Sequence, residues 1–119
     1  MAFNNRRRVG GRARQHKPGR MNKIETDYAQ EVLNPLQLAG EIITYWFESH
    51  KLRLADNTWY TPDFMVQLAS GEIEYHEIKG HWEDDARVKI KVVASLYPFR
   101  FLAIQRKKGE WLTEEISGK

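Results

Sequence analysis

The chain has 119 residues, a mass of 14.0 kDa and a formal net charge of +3, and 41% of its residues are hydrophobic. This length and apolar fraction predict one domain with a single core. The sequence contains no cysteine, which excludes disulfide bonds, zinc sites built from thiolates and thiol catalysis. Any metal ion must therefore be bound through oxygen or imidazole.

No segment approaches the roughly 20 consecutive apolar residues that a membrane span needs. The basic N-terminus also lacks the apolar region of a secretory signal. We therefore expect a cytoplasmic protein with no membrane association.

The basic residues are distributed unevenly. Residues 1–20 contain seven Lys or Arg and no acid, whereas the remainder contains 12 basic and 16 acidic residues, a net charge of −4. The seven basic residues of this arm are Arg6, Arg7, Arg8, Arg12, Arg14, Lys17 and Arg20. Such an arm favours a polyanionic partner, with DNA the first candidate, and the alternative is a disordered, solubilising tail. Gly10, Gly11, Pro18 and Gly19 favour disorder in either case, so we predict a basic, disordered arm over residues 1–20 and one folded domain over residues 21–119.

The first element after the arm is predicted to be a helix. Asn22 can cap it, and apolar residues recur every four positions from Ile24 to Leu36. Pro35 predicts a kink near the preceding residue, and Gly40 is expected to end the helix. Residues 41–48 are β-branched and aromatic, which predicts a strand, and residues 51–55 predict a second, shorter strand.

The second half of the chain predicts a hairpin, a helix and two further strands. Residues 59–68 and 72–79 alternate as two strands around a turn at 69–71. Residues 83–97 have helical spacing, residues 99–105 form an apolar strand, and a last short strand lies near Trp111. A right-handed connection through the second helix would place the strands at 72–79 and 99–105 parallel in one mixed sheet.

Three charged residues of the predicted hairpin are expected to converge. Counting back from a turn centred on Ser70, Asp63 and Glu77 fall within one residue of facing one another, so their side chains start roughly 5 Å apart. Glu77 and Lys79 point to the same face of their strand, while Ile78 points to the opposite face, where it can be buried. Two carboxylates this close would repel each other unless a metal ion or Lys79 neutralised them.

Mg²⁺ suits such a site because it prefers carboxylate, carbonyl and water oxygens. We predict Asp63, Glu77 and the Ile78 carbonyl as ligands, with Mn²⁺ as a substitute for Mg²⁺. The metal ion would polarise a phosphoryl oxygen and lower the pKa of a bound water, and Lys79 would steady the attacking water or the developing charge. The alternative is an exposed edge hairpin in which Glu77 and Lys79 form a solvated ion pair.

With Pro62-Asp63 and Glu77-Ile78-Lys79 at the motif positions, residues 22–105 resemble the PD-(D/E)XK nuclease superfamily. The resemblance implies an α/β fold with a restriction-endonuclease-like α-β-β-β-α-β core, in which a mixed central sheet is flanked by helices. It also implies an Mg²⁺-dependent endodeoxyribonuclease. Residues 22–25 and 82–91 are similar to small phage-encoded nucleases, including junction-resolving types, which would place the protein in the host cell cytoplasm.

Many members of the superfamily add an acid from the first helix, which here would be Glu25 or Glu31. We favour Glu25 as a catalytic residue and metal ligand, because it shares the inward face of the helix with Tyr28 and Val32. The alternative is that Glu25 is only a favourable acid in the first helical turn.

Several other aromatic and basic side chains also have predicted positions or roles. Trp82 has two possible roles, since it could stack on a base or cover the core. Lys89 is predicted to lean toward the site and to contact DNA. Trp46, Trp59 and Tyr60 are predicted to belong to the sheet core.

The function predicted from these observations is cleavage of DNA phosphodiester bonds. The sequence has no recognisable base-reading module, which favours selection by DNA structure, as in Holliday junction resolution. Two symmetric cuts need two sites, which favours a homodimer. The alternatives are a non-catalytic DNA-binding protein on a nuclease-like scaffold and a nuclease subunit that a partner protein targets.

Overall fold

The computed structural model describes residues 19–117. The helical elements are α1 (Lys23–Tyr28), a π-helical turn (Ala29–Leu33), α2 (Asn34–Leu38) and α3 (Asp84–Leu96). The strands are β1 (Ile42–Phe47), β2 (Leu52–Ala55), β3 (Thr58–Tyr60), β4 (Phe64–Leu68), β5 (Ile73–Lys79), β6 (Arg100–Lys107) and β7 (Glu110–Ile116).

Five of the strands form one mixed sheet in the order β1-β4-β5-β6-β7, and β2 and β3 form a separate hairpin. Strands β5 and β6 are parallel, as predicted, and the other neighbours in the sheet are antiparallel. The coarse prediction of an α/β fold with a mixed sheet is therefore confirmed.

The N-terminal helical segment begins as the sequence predicts. Asn22 and Glu25 form a capping box, in which the Asn22 side chain accepts from the Glu25 N–H and the Glu25 side chain accepts from the Asn22 N–H, each at 2.9 Å. The interruption expected before Pro35 takes the form of the π-helical turn, where the Asn34 N–H bonds to the Ala29 carbonyl. Proline has no N–H of its own, so this wider turn accommodates it without ending the helix.

The prediction of one continuous strand over residues 59–68 is wrong. The segment divides at Thr61 and Pro62 into β3, which pairs with β2, and β4, which pairs with β1 and β5. Pro62 cannot donate a backbone hydrogen bond, so a ladder cannot run through it. The break separates the hairpin from the main sheet immediately before Asp63.

Each face of the sheet has its own core. On one face, Tyr28 and Leu33 of the helical segment pack against Phe64 and Ile78. On the other face, buried residues of α3 pack against β5 and β6, and the inner side chains of the hairpin extend this core. No helix within residues 19–117 is long and apolar enough to cross a membrane.

Two of the three aromatic residues assigned to the sheet core lie elsewhere. Trp46 is 57% exposed on the edge strand β1, and Trp59 is 43% exposed on β3. Only Tyr60 is buried as predicted. Aromatic residue type favours a strand, but it does not distinguish a central strand from an edge or a separate hairpin.

Candidate active site

The hairpin formed by β4 and β5 brings Asp63 and Glu77 together. Phe64 pairs with His76, and the same register continued by one residue places Asp63 opposite Glu77, as predicted. Both carboxyl groups are buried. The Asp63 N–H donates to Glu77 Oε1 at 3.3 Å, and the Ile78 N–H donates to Asp63 Oδ2 at 2.8 Å.

Glu77 has two further partners. Lys79 Nζ lies 3.4 Å from Glu77 Oε2, which confirms that these side chains share one face of β5. Ile78 is buried in the core on the opposite face. The Tyr60 hydroxyl donates to Glu77 Oε1 at 2.6 Å.

The sequence analysis missed the contact between Tyr60 and Glu77. A buried tyrosine hydroxyl needs a hydrogen-bond partner, and a carboxylate on the adjacent hairpin was a suitable acceptor. That requirement was the available signal. Strand assignment alone gave no indication that β3 would turn this hydroxyl toward β5.

Burial makes ionisation of both acids unfavourable. It raises the pKa of Asp63 to about 9, and the negative charges of Glu77 and Glu25 also raise this pKa. The Ile78 N–H and the charge of Lys79 lower it. Burial also raises the pKa of Glu77, although Tyr60 and Lys79 favour its ionised form. The Tyr60 pKa is raised by burial and then by the charge of Glu77. A cation between Asp63 and Glu77 would relieve this repulsion.

Glu25 of α1 lines the same cleft as Asp63. It is buried, and it lines a cleft of about 700 Å³ together with Asp63 and Lys79. Its Oε1 belongs to the capping box, so the first-turn interpretation also holds. Its Oε2 has no hydrogen-bond partner among the residues that the structure describes.

The other acid considered on this helix, Glu31, lies elsewhere. Its carboxylate accepts from Trp111 Nε1 at 3.0 Å and from Arg106. Glu31 is exposed. Its partners belong to β6 and β7, away from the acids of β4 and β5.

A second, smaller cavity of about 220 Å³ is lined by Glu77. Lys79 borders both this cavity and the larger cleft, and Lys89 of α3 lines the smaller one with Tyr60. The structure thus places Lys89 beside the site, where the sequence analysis expected it.

The described residues contain no group of three or more His, Cys, Asp or Glu side chains arranged to hold a metal ion. Asp63 Oδ2 accepts from a backbone N–H, and both Glu77 oxygens lie against protein donors. The donor set nevertheless fits a hard cation, since the acids are close, buried and mutually repelling. Because N–H and C=O of a strand residue point to the same side, the Ile78 carbonyl also points toward Asp63.

Trp82 is placed against the core. It packs on the α3 side of the sheet, the Arg87 guanidinium lies 5.6 Å from its ring centroid, and its buried Nε1 has no hydrogen-bond partner within the described chain. This position supports the core-covering interpretation. Base stacking by Trp82 stays a prediction.

The basic arm lies largely outside the described residues. Arg6, Arg7, Arg8, Arg12, Arg14 and Lys17 fall there, and Arg20 is exposed. The arm joins the described chain at Gly19, whose N–H donates to Glu48 Oε1 at 2.8 Å. Gly19 and Glu48 both line the larger cleft, so the arm is attached at its wall.

No protein-family model, curated protein or solved structure matches this chain. Its function must therefore be argued from the chemistry of its own residues.

Proposed function

We propose that this chain is a metal-dependent DNA endonuclease with a PD-(D/E)XK-type site. The observation that carries the proposal is the convergence of two buried carboxyl groups, Asp63 and Glu77, with Lys79 at a cleft that a third acid, Glu25, also lines. Buried acids that repel each other destabilise a fold. Their retention side by side is typical of functional sites.

The element order supports a restriction-endonuclease-like core. The N-terminal helical segment, β1, β4, β5, α3 and β6 follow one another as an α-β-β-β-α-β unit. The hairpin of β2 and β3 is an insertion between the first two core strands, and β7 extends the sheet beyond β6.

Asp63, Glu77 and Glu25 are the residues that would hold Mg²⁺ or Mn²⁺, with the Ile78 carbonyl as a further oxygen donor. A hard divalent cation supplies Lewis acidity at a phosphoryl group and favours ionised water at neutral pH. The protein supplies the fixed positions of the carboxylates and a cleft large enough for a substrate group.

Residues around the carboxylates have separate roles in this proposal. Lys79 stabilises negative charge that develops during attack on phosphorus, because its ammonium group borders the cleft beside Glu77. Tyr60 holds the Glu77 carboxylate in place through its 2.6 Å hydrogen bond. The basic arm and Lys89 add affinity for the DNA backbone.

The proposal extends to branched DNA as substrate and to a homodimer as the active form. Both rest on the sequence: the chain has no recognisable base-reading module, and paired cuts across a junction need two sites. Targeting by a partner protein would show as weak activity of the chain alone.

The test is incubation of supercoiled plasmid and of a synthetic four-way junction with Mg²⁺ or Mn²⁺. Wild-type protein should cut, and Asp63→Asn should lower the rate by about 100-fold or more, as loss of a main electrostatic group does. Asp56→Asn is the matched control, because Asp56 is 93% exposed at the hairpin turn and should leave the rate unchanged.

Wild-type protein that binds the junction but never cuts it with either metal ion would establish the non-catalytic scaffold instead. Cleavage that survives Asp63→Asn would also refute the proposed site. Binding should persist in Asp63→Asn, which separates a loss of chemistry from a loss of substrate.

A further inference from the structure

The hairpin of β2 and β3 forms one side of the active-site region. Its inner residues Leu52 and Leu54 pack against the core beneath α3, and the Tyr97 hydroxyl donates to the Arg53 carbonyl at 2.6 Å. Arg53 is paired across the two strands with Trp59, and both side chains are exposed. The inner face of the hairpin thus packs on the core at α3, and its outer face is exposed to solvent.

Trp59 is the centre of that outer face. With 43% of its surface exposed, it presents a large aromatic area to solvent. Lys51 Nζ lies 5.1 Å from its ring centroid, and Lys51 also lines the larger cleft. Lys51 therefore connects the exposed ring to the cleft that Asp63 lines.

Two cations flank this ring. Lys51 lies over it, and Arg53 is its neighbour on the adjacent strand. The one acid near Arg53 among the described residues, Asp56, is 3.8 Å away and fully solvated, so it holds the guanidinium weakly. An aromatic ring between two cations matches the alternation of base and phosphate in a single nucleic-acid strand.

We propose that Trp59 stacks on an unpaired nucleobase beside the cleft while Lys51 and Arg53 contact the flanking phosphates. The inference rests on the proposed function, because it takes the cleft to receive nucleic acid, and it specifies the substrate class as DNA with unpaired bases next to the cut. Stacked duplex bases do not offer a free face to a side chain, so the site favours single strands, frayed ends and branch points over intact duplex.

The test measures binding of a labelled single-stranded DNA oligonucleotide and of the same sequence as a blunt duplex. Full-length Asp63→Asn protein is the background, so that no cleavage occurs. Adding Trp59→Ala should weaken single-strand binding by roughly tenfold and duplex binding by less than about twofold, because stacking on an aromatic side chain contributes mainly to unpaired bases. Trp59→Phe should restore most of the loss.

Trp46→Ala is the matched control. Trp46 is an exposed tryptophan of similar size, 57% exposed on the edge strand β1, and no lysine or arginine within the described chain lies over its ring. Its removal should leave both affinities unchanged. Equal losses for Trp46→Ala and Trp59→Ala, or equal losses on single strand and duplex, would overturn the inference.

Fluorescence gives a readout that does not depend on the stability of the alanine variant. A stacked base quenches tryptophan emission, so single-stranded DNA should quench the Trp46→Phe protein as it quenches wild type and should quench Trp59→Phe much less. Unchanged quenching in Trp59→Phe would refute the stacking role.

The two proposals can fail separately. Cleavage by wild type with no effect of Trp59 on binding removes the stacking site and keeps the nuclease. Binding that depends on Trp59 without cleavage under Mg²⁺ or Mn²⁺ removes the nuclease and keeps a single-strand binding surface.

Discussion

At the residue scale, the dominant feature is the unfavourable burial of Asp63 beside Glu77. Its pKa of about 9 in the folded protein lies well above the ordinary value of 3.8, so the folded state retains a proton that the unfolded state releases. Without a divalent cation, this group therefore lowers stability progressively as pH rises from about 3.8 to about 9.

We expect Asp63→Asn to stabilise the metal-free protein at pH 8. The asparagine oxygen can still accept from the Ile78 N–H, and asparagine needs no proton uptake on folding, which a carboxyl group with a raised pKa requires at pH 8. Thermal unfolding in EDTA should show a midpoint higher by about 5 °C, which corresponds to about 1 kcal/mol for a domain of this size. The gain should shrink at pH 4, because this pH is close to the ordinary Asp63 pKa of 3.8 and protonation of the unfolded carboxyl group then costs little.

Asp56→Asn again provides the comparison, since its solvated carboxylate should change the midpoint little. A midpoint for Asp63→Asn at or below that of wild type at pH 8 would contradict the assigned repulsion. Added Mg²⁺ should raise the wild-type midpoint and leave that of Asp63→Asn nearly unchanged.

At the scale of elements, a buried polar chain ties the helical segment to the sheet. The Tyr28 hydroxyl and His76 Nδ1 are 2.8 Å apart, His76 Nε2 lies 3.0 Å from Glu74 Oε1, and Arg100 Nη1 donates to Glu74 Oε2 at 2.6 Å. Contact with His76 lowers the Glu74 pKa, and the charge of Arg100 acts in the same direction. This series of hydrogen bonds fixes α1, and with it Glu25, against β5.

Tyr28→Phe should destabilise the protein by about 1–3 kcal/mol, because it leaves a buried nitrogen of His76 without its partner. Urea denaturation measures the loss. Tyr45→Phe removes a hydroxyl that bonds Asn34 at 2.6 Å in an exposed position, and it should cost about 0.5 kcal/mol or less.

Equal costs for the two substitutions would show that the buried chain does not stabilise the fold. Tyr28→Phe should also weaken Mg²⁺ binding more than Tyr45→Phe does, since α1 carries the third acid. That difference tests whether the chain positions Glu25.

The sequence was sufficient for features set by local rules. The turn at 69–71 fixed the register of β4 and β5, so the convergence of Asp63, Glu77 and Lys79 was predictable by counting residues. The parallel pairing of β5 and β6 followed from the intervening helix. These features depend on neighbours in the chain.

The sequence was insufficient where distant segments decide the outcome. Whether Trp59 is covered depends on where the hairpin docks, and a strand-like pattern is the same in a central strand and in an isolated hairpin. The contact between Tyr60 and Glu77 joins two different sheets across 17 positions. Neither the exposure of Trp59 nor this contact can be predicted from the periodicity of nearby residues.

At the scale of the whole molecule, charge is separated between the N-terminal arm and the folded domain. Residues 1–18 contribute six of the seven basic residues of the arm, and the chain that follows enters the fold at Gly19, on the wall of the cleft. The described chain therefore begins at the cleft of the proposed site.

Removing residues 1–18 should weaken DNA binding and flatten its salt dependence. If all six charges meet phosphates, the slope of log affinity against log salt should fall by about 5 for duplex DNA, and by less if fewer do. Binding measured between 50 and 200 mM salt gives the slope, and an unchanged slope would mean that the arm is idle. The rate at saturating DNA should stay as in wild type.

The hydroxyl of Tyr60 links the hairpin of β2 and β3 directly to an acid of the candidate site. Tyr60 is the last residue of β3, and it also bonds Glu77 at the centre of the acid cluster. A displacement of β3 would therefore stretch or break the hydrogen bond that positions the Glu77 carboxylate. Any replacement of β2 and β3 must therefore keep a tyrosine at position 60, or the Glu77 carboxylate will lose its 2.6 Å hydrogen bond.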